Sequence, residues 1–213
     1  MLQSTINTKI ALGLARAASI VGSAQALYRP TSSNLPVTGI PFSNIYCAFD
    51  VRPDFKLFST AQPNHSYAAL LADPTIVQRG DYLVGEDTHF VARIEPLRPA
   101  LCVLCDQTLD FLSGDTSTSA GTNAYGGRTS DTDVVIAEGW PVSMSVRTRG
   151  ETDVTKLPSD TRAAYYDVLA PPIPGISLTF GMRVRDIASQ DYEIVSAEMS
   201  HFGWRLLIGL ATT

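Results

Sequence analysis

The chain has 213 residues, 45% of them hydrophobic and 17% charged, with a formal net charge of −5. That length buries a substantial core in one domain or two small ones, and the negative balance argues against the basic surface that nucleic-acid binding requires. The cysteines, Cys47, Cys102 and Cys105, are odd in number and leave long cysteine-free stretches, so they do not form a disulfide framework.

The first predicted element is a helix over residues 5–28. Ser4 or Thr5 supplies an N-cap oxygen for the free amides of the first turn. Ile6, Ile10, Leu14, Ala17, Val21 and Ala24 recur at three- and four-residue steps as one apolar stripe, with Gly13, Ala15, Ala18, Gly22 and Ser23 around it. Pro30 ends the helix, because it disfavours helical geometry at Arg29 and cannot continue the hydrogen bonding. Ala24-Gln25-Ala26 imitates a signal-peptide cleavage site, but Lys9 is the lone early cation and Arg16 falls inside the apolar region, which favours a folded helix. The same interruptions argue against a membrane span. A helix with sides this small either covers the chain's own β-core or packs between subunits.

Residues 31–78 are punctuated by Pro36, Pro41, Pro53, Pro63 and Pro74 and are expected to form an irregular arm. Its best strand candidate covers residues 41–50, and Asp73-Pro74-Thr75 is a turn. A first β-unit follows over residues 79–112. Gly80 opens a strand, Gly85-Glu86-Asp87-Thr88 turns, an aromatic-led strand runs over 89–94, and residues 100–105 form a further strand. Residues 113–133, rich in Ser, Thr, Gly and Asp, form a flexible loop. The second β-unit, 134–213, has strand candidates over 134–138 and 140–147. After the stiff Pro171-Pro172-Ile173-Pro174 it repeats the first unit's pattern: Gly181, an alternating strand, a turn at 188–191, a strand from Tyr192, and a last strand over 204–210. The fold class expected is mainly β with an N-terminal α-helix, in two small barrel-like or sandwich-like units. Leu83, Val84, Phe90, Ile94, Val184, Tyr192, Ile194 and Trp204 are its predicted core.

Sites of chemistry are sparse in this pattern. Cys102-Val103-Leu104-Cys105 matches a redox spacing, but it lies on a predicted strand that sends the two thiols to opposite faces, and no second ligand pair completes a zinc site. His65, His89 and His201 are far apart and are expected to be half-exposed strand or turn residues, not metal ligands. No nucleophile-elbow motif is present, although a Ser, His and Asp brought together by folding would escape a sequence search. Tyr82, Phe90, Tyr192, Phe202 and Trp204 suggest a base-stacking platform, but without a basic groove they are better explained as core or subunit contact. No catalytic residue, cofactor or metal is expected.

The segment Ala26-Leu27-Tyr28-Arg29-Pro30, then Arg79-Gly80-Asp81-Tyr82-Leu83-Val84 and Phe90-Val91-Ala92, resembles virion proteins of the head–tail module of tailed bacteriophages. Residues 95–101, and Tyr192-Glu193-Ile194-Val195 with Gly203-Trp204-Arg205-Leu206-Leu207, carry the same likeness. The resemblance implies a non-enzymatic neck protein (connector, stopper or collar), in a homo-oligomeric ring with other head, neck or tail proteins as partners. It implies assembly in the host bacterial cytoplasm, residence in the virion, genomic DNA passing without specific binding, and no membrane. A low charge density suits extensive subunit contacts, and a negative surface suits DNA that passes ungripped. A baseplate or tail-fibre attachment protein is the alternative, and a β-barrel hydrolase or small-molecule binding protein is the reading from another class. The residues expected at the subunit interface are Ile10, Gly13, Leu14, Ala17, Val21, Gly22, Tyr28 and Arg29.

Overall fold

The computed structural model describes residues 2–50, 65–114, 133–146 and 164–211. Among these residues one helix, α1 (Leu2–Val21), precedes twelve strands in two closed six-stranded barrels. The first barrel contains β1 (Ser23–Tyr28), β2 (Ser43–Asp50), β3 (Tyr67–Leu71), β4 (Tyr82–Val84), β5 (Thr88–Arg93) and β6 (Ala100–Cys105). The second contains β7 (Gln107–Gly114), β8 (Asp133–Val146), β9 (Tyr165–Ala170), β10 (Arg183–Asp186), β11 (Asp191–Ser200) and β12 (Gly203–Leu210). The expected class, mainly β with an N-terminal helix and two barrel units, is the one observed.

The two barrels have the same topology. The first runs β1-β2-β3-β6-β5-β4 around its circumference and the second β7-β8-β9-β12-β11-β10. The repeated sequence units occupy equivalent places, β4-β5-β6 and β10-β11-β12. Gly80 and Gly181 open both with φ of +88° and +82°, a left-handed geometry that favours glycine. The Gly80 amide donates to the Val91 carbonyl and the Gly181 amide to the Ile194 carbonyl. Each unit then has a register shift at the same point, between Val91 and Arg93 and between Ile194 and Ser196.

That bulge explains one correction. An extra residue reverses the in–out phase of a strand, so Ile94, expected in the core, is 37% exposed. Val84 is half-buried, and the other six predicted core residues are buried.

The organisation of the first half also differs from expectation. The helix stops at Val21, and residues 23–28, read as its last turns, form β1. Gly22 makes the switch: its amide caps the helix on the Ala18 carbonyl, and a Cβ there would strike the carbonyl oxygens of Ala18 and Cys47. The 31–78 arm contributes β2 and β3, so the first barrel begins at Ser23 and not at residue 79. The predicted strand at 41–50 is β2, and the Asp73 turn is present, with the Thr75 amide donating to Asp73 Oδ1 at 2.9 Å. The first unit ends at Cys105, because residues 107–112 belong to β7 of the second barrel. The strands expected over 134–138 and 140–147 are one strand, β8, bent at Gly139 (φ +68°) against the Leu35 side chain. Most of the 113–133 loop lies outside the described residues.

A single residue, Asp106, separates β6 from β7, and the barrels are packed together. Tyr82, Phe90, Ala92, Leu101 and Val103 share one continuous cluster with the second barrel's core, which includes Phe111, Trp140 and Ile208. Leu27, Ile45, Leu83, Val91 and Cys102 fill the first barrel's separate core. Tyr82 joins the two: its hydroxyl donates to the Pro141 carbonyl at 2.7 Å, and its ring lies 6.1 Å from that of Trp140.

Candidate functional site

Groups with chemical potential gather along the seam between the barrels. A cleft of about 410 Å³ is lined by Tyr67 of the first barrel and by Leu169, residues 198–202 and Arg205 of the second. Its floor is aromatic, with Tyr67 and Phe202 rings 6.3 Å apart and the Arg93 guanidinium over Phe202. Arg205 lies 3.8 Å from Glu198 at the rim, and Arg79 donates to the Ser200 carbonyl at 2.7 Å. These contacts tie the hairpin between β11 and β12 to the first barrel.

Deeper in the seam, His65 Nδ1 and Ser143 Oγ are 3.1 Å apart, both buried. Asp106 acts on His65 through its charge and accepts the Met144 amide at 2.8 Å. A serine, a histidine and an aspartate have thus been brought together, as sequence alone could not have shown. Their geometry fits a fastening better than a nucleophile. Ser143 and His65 are shielded from solvent, and the Asp106 carboxylate is engaged by a backbone amide. The arrangement pins β8 to the segment that leads into β3.

His65 and His89 were expected to be half-exposed, and both are buried; His201 is exposed in its turn. His89 stacks on Phe49, with ring centroids 4.1 Å apart, and its Nδ1 has no hydrogen-bond partner among the described residues. Burial lowers the pKa of each of these two histidines, against the opposing charges of Asp106 on His65 and Asp87 on His89. The folded chain therefore keeps both neutral at a pH where the unfolded chain binds protons. Stability is complete above about pH 6.5 and falls as pH drops below it, by at most about 1.4 kcal/mol per pH unit for each histidine. Denaturant melts from pH 8 to pH 5 should show this fall, and His89→Leu should remove part of it. An unchanged slope in that variant would show that His89 does not titrate on unfolding.

The cysteines are free thiols. Cys102 points into the first barrel's core, while Cys105 packs against the other cluster, so the strand separates them as expected. Burial raises the Cys47 thiol to about 11 and raises Cys102 and Cys105 further. Thiolate is the reactive form, so a thiol reagent at pH 8 should find no fast-reacting cysteine until the chain is unfolded, when three should appear. Two fast thiols in the native protein would overturn this assignment. Among the described residues, no group of three or more His, Cys, Asp or Glu side chains is placed to hold a metal.

Of the residues expected at a subunit interface, most turn toward the chain's own first barrel. Ile10, Leu14 and Ala17 are half-buried on the side of α1 that carries buried Ala18, and α1 packs on β2 and β3. Gly22 is in the helix-to-strand turn and Tyr28 packs on the shared core. Arg29 forms a bidentate pair with buried Asp81 at 2.7 and 2.8 Å. Gly13 and Val21 face outward. The outward face of α1 carries Ile6, Lys9, Leu12, Arg16 and Ile20, with Leu12 65% and Ile20 77% exposed. Steps of three and four residues from Thr5 through Lys9, Leu12, Arg16 and Ile20 were the sequence signal for it. Among the described residues no helix is long and apolar enough to cross a membrane.

No protein-family model, no curated protein and no solved structure matches this chain.

Proposed function

We propose that this chain is a structural building block of a tailed bacteriophage virion, a neck or head-to-tail connecting protein that forms a ring around the DNA channel. The observation that carries the reading is the surface of a two-barrel block with a common core. Large apolar side chains stand out from it, on α1 and at Ile40, which is 95% exposed. Exposed apolar groups of this size mark contact surfaces when they cluster on one element, as they do on α1. The resemblance of short motifs to those of head–tail module proteins supplies the virion context, and a net charge of −5 is compatible with DNA passing without adhesion.

The test is location and copy number in an intact particle. Gold-labelled antibody against the chain, viewed by electron microscopy, should mark the head–tail junction, and averaged images should resolve a ring there. Label at the far end of the tail would assign a baseplate or fibre-attachment role. Particles without the chain, together with turnover by the purified monomer, would overturn the structural reading. A small-molecule binding role is favoured by the cleft at Tyr67, Phe202 and Arg205, and saturable ligand binding lost in Arg205→Ala would support it.

A further inference from the structure

The duplicated topology makes the two barrels comparable residue by residue. Tyr82 pairs with Phe90 and Phe90 with Val103; in the second barrel Arg183 pairs with Glu193 and Glu193 with Gly209. Past the shared bulge, Arg93 opposes Leu101 and Ser196 opposes Leu207. The first barrel's outward face of Tyr82, Phe90, Ala92, Leu101 and Val103 therefore corresponds to Arg183, Glu193, Val195, Leu207 and Gly209. The first set is buried against the next barrel of the same chain. Among the described residues no barrel covers the second set: Glu193 and Val195 are exposed and Leu207 is half-buried. Tyr165, at the position equivalent to seam residue Tyr67, is 37% exposed beside Gly209.

Charge separates this face from the outward face of α1. The helix contains Lys9 and Arg16 and no carboxylate, and neither cation forms an ion pair among the described residues. The described residues from 107 onward carry eight carboxylates against three arginines. On the free face Glu193 makes no ion pair among the described residues, and Glu198 is 68% exposed at 3.8 Å from Arg205.

We propose that the outward face of α1 in one copy seats on the β10-β11-β12 face of the next copy, with Lys9 and Arg16 against Glu193 and Glu198 and with Leu12 and Ile20 against Val195, Leu207 and Tyr165. The contact joins two different surfaces, so it runs head to tail and closes into a ring when the rotation per copy divides a full turn. The first barrel's stacking face is apolar and permanent, while its equivalent in the second barrel has glutamate in place of phenylalanine and arginine in place of tyrosine. That substitution suits a contact made after folding and tuned by salt, which screens exposed charges beyond about 10 Å at 0.1 M. The proposal rests on the building-block reading and names its partner surface.

The experiment is light scattering with size exclusion on the full chain across a concentration series. It compares the parent, Lys9→Glu with Arg16→Glu, Glu193→Lys with Glu198→Lys, and an equal mixture of the two double variants. Like charges facing each other across a contact oppose it strongly, so each double variant should raise the dissociation constant about a hundredfold or more. The mixture, which restores opposite charges, should associate again. Circular dichroism should match the parent because these side chains face solvent; a variant that fails this is replaced by its glutamine counterpart. Double variants that associate like the parent would overturn this contact and leave the building-block reading standing. A parent that stays monomeric at every concentration would overturn both. A monomeric parent retained on vesicles of anionic lipid, with Lys9→Glu and Arg16→Glu released, would assign the helix to a membrane surface instead.

Discussion

Trp140→Ala lowers the stability of the chain by about 3–5 kcal/mol, the range for removing a large buried aromatic ring, and does so for both barrels at once. The ring is fully buried in the cluster that contains the first barrel's outward Tyr82 and Phe90 together with the second barrel's core. Its Nε1 donates to the Ser33 carbonyl, which ties the segment after β1 to β8 at a distance of 107 residues in sequence. Loss of the side chain opens a cavity at the junction and leaves that carbonyl without its donor. Trp140→Phe retains most of the ring and loses only the hydrogen bond, a cost of about 1–3 kcal/mol if the carbonyl stays buried. Urea melts followed by far-ultraviolet circular dichroism and by tryptophan emission should shift together in the alanine variant. A midpoint matching the parent would show that the shared core does not couple the barrels.

Arg29→Met costs about 3–5 kcal/mol, because it strands a buried carboxylate. The Asp81 side chain is 2% exposed and receives two hydrogen bonds from Arg29, with a third from the Gln78 amide. Arg29 also donates to the Ile76 carbonyl at 2.7 Å and lies over the Phe42 ring. The pair therefore fastens the end of β1 to the turn that introduces β4, and these two strands close the first barrel. Replacing both partners, Arg29→Met with Asp81→Leu, should recover much of the loss, since the double variant leaves no unpaired charge. A single variant as stable as the parent would show that Asp81 is satisfied without Arg29.

The parts of the fold visible in the sequence were those in which local pattern and tertiary demand agree. Gly80 and Gly181, each followed by alternating apolar residues and an aromatic-led strand, marked equivalent units, and the strand expected over 100–105 is β6. Residues 23–28 misled because Ser-Ala-Gln-Ala-Leu-Tyr has good helix formers and continues a small-residue pattern; only the partners β2 and β4 make it a strand. β3, Tyr-Ala-Ala-Leu-Leu, lacks alternation for the same reason, being buried to some degree along its whole length. Ile94 was misplaced by a bulge, which leaves no mark in composition. The duplication was only half legible, since the first three strands of the barrels share no pattern. Of the apolar stripe read on α1, Ile10, Leu14 and Ala17 lie on the side that packs on the chain's own barrel, whereas Ile6 and Val21 are exposed. Helical periodicity shows that a face is apolar and does not show whose surface covers it.

Closure of both barrels limits how copies of this chain can join. Each strand of both barrels has a hydrogen-bonded neighbour on either side, so among the described residues no strand forms the open edge of a sheet. Edge-to-edge templating, the common route from crowded β-proteins to fibrous aggregate, finds no whole edge strand to start from among the described residues. Contacts between crowded copies then fall chiefly to side chains, which specify a partner by shape and charge and can be broken and remade until the correct arrangement is reached.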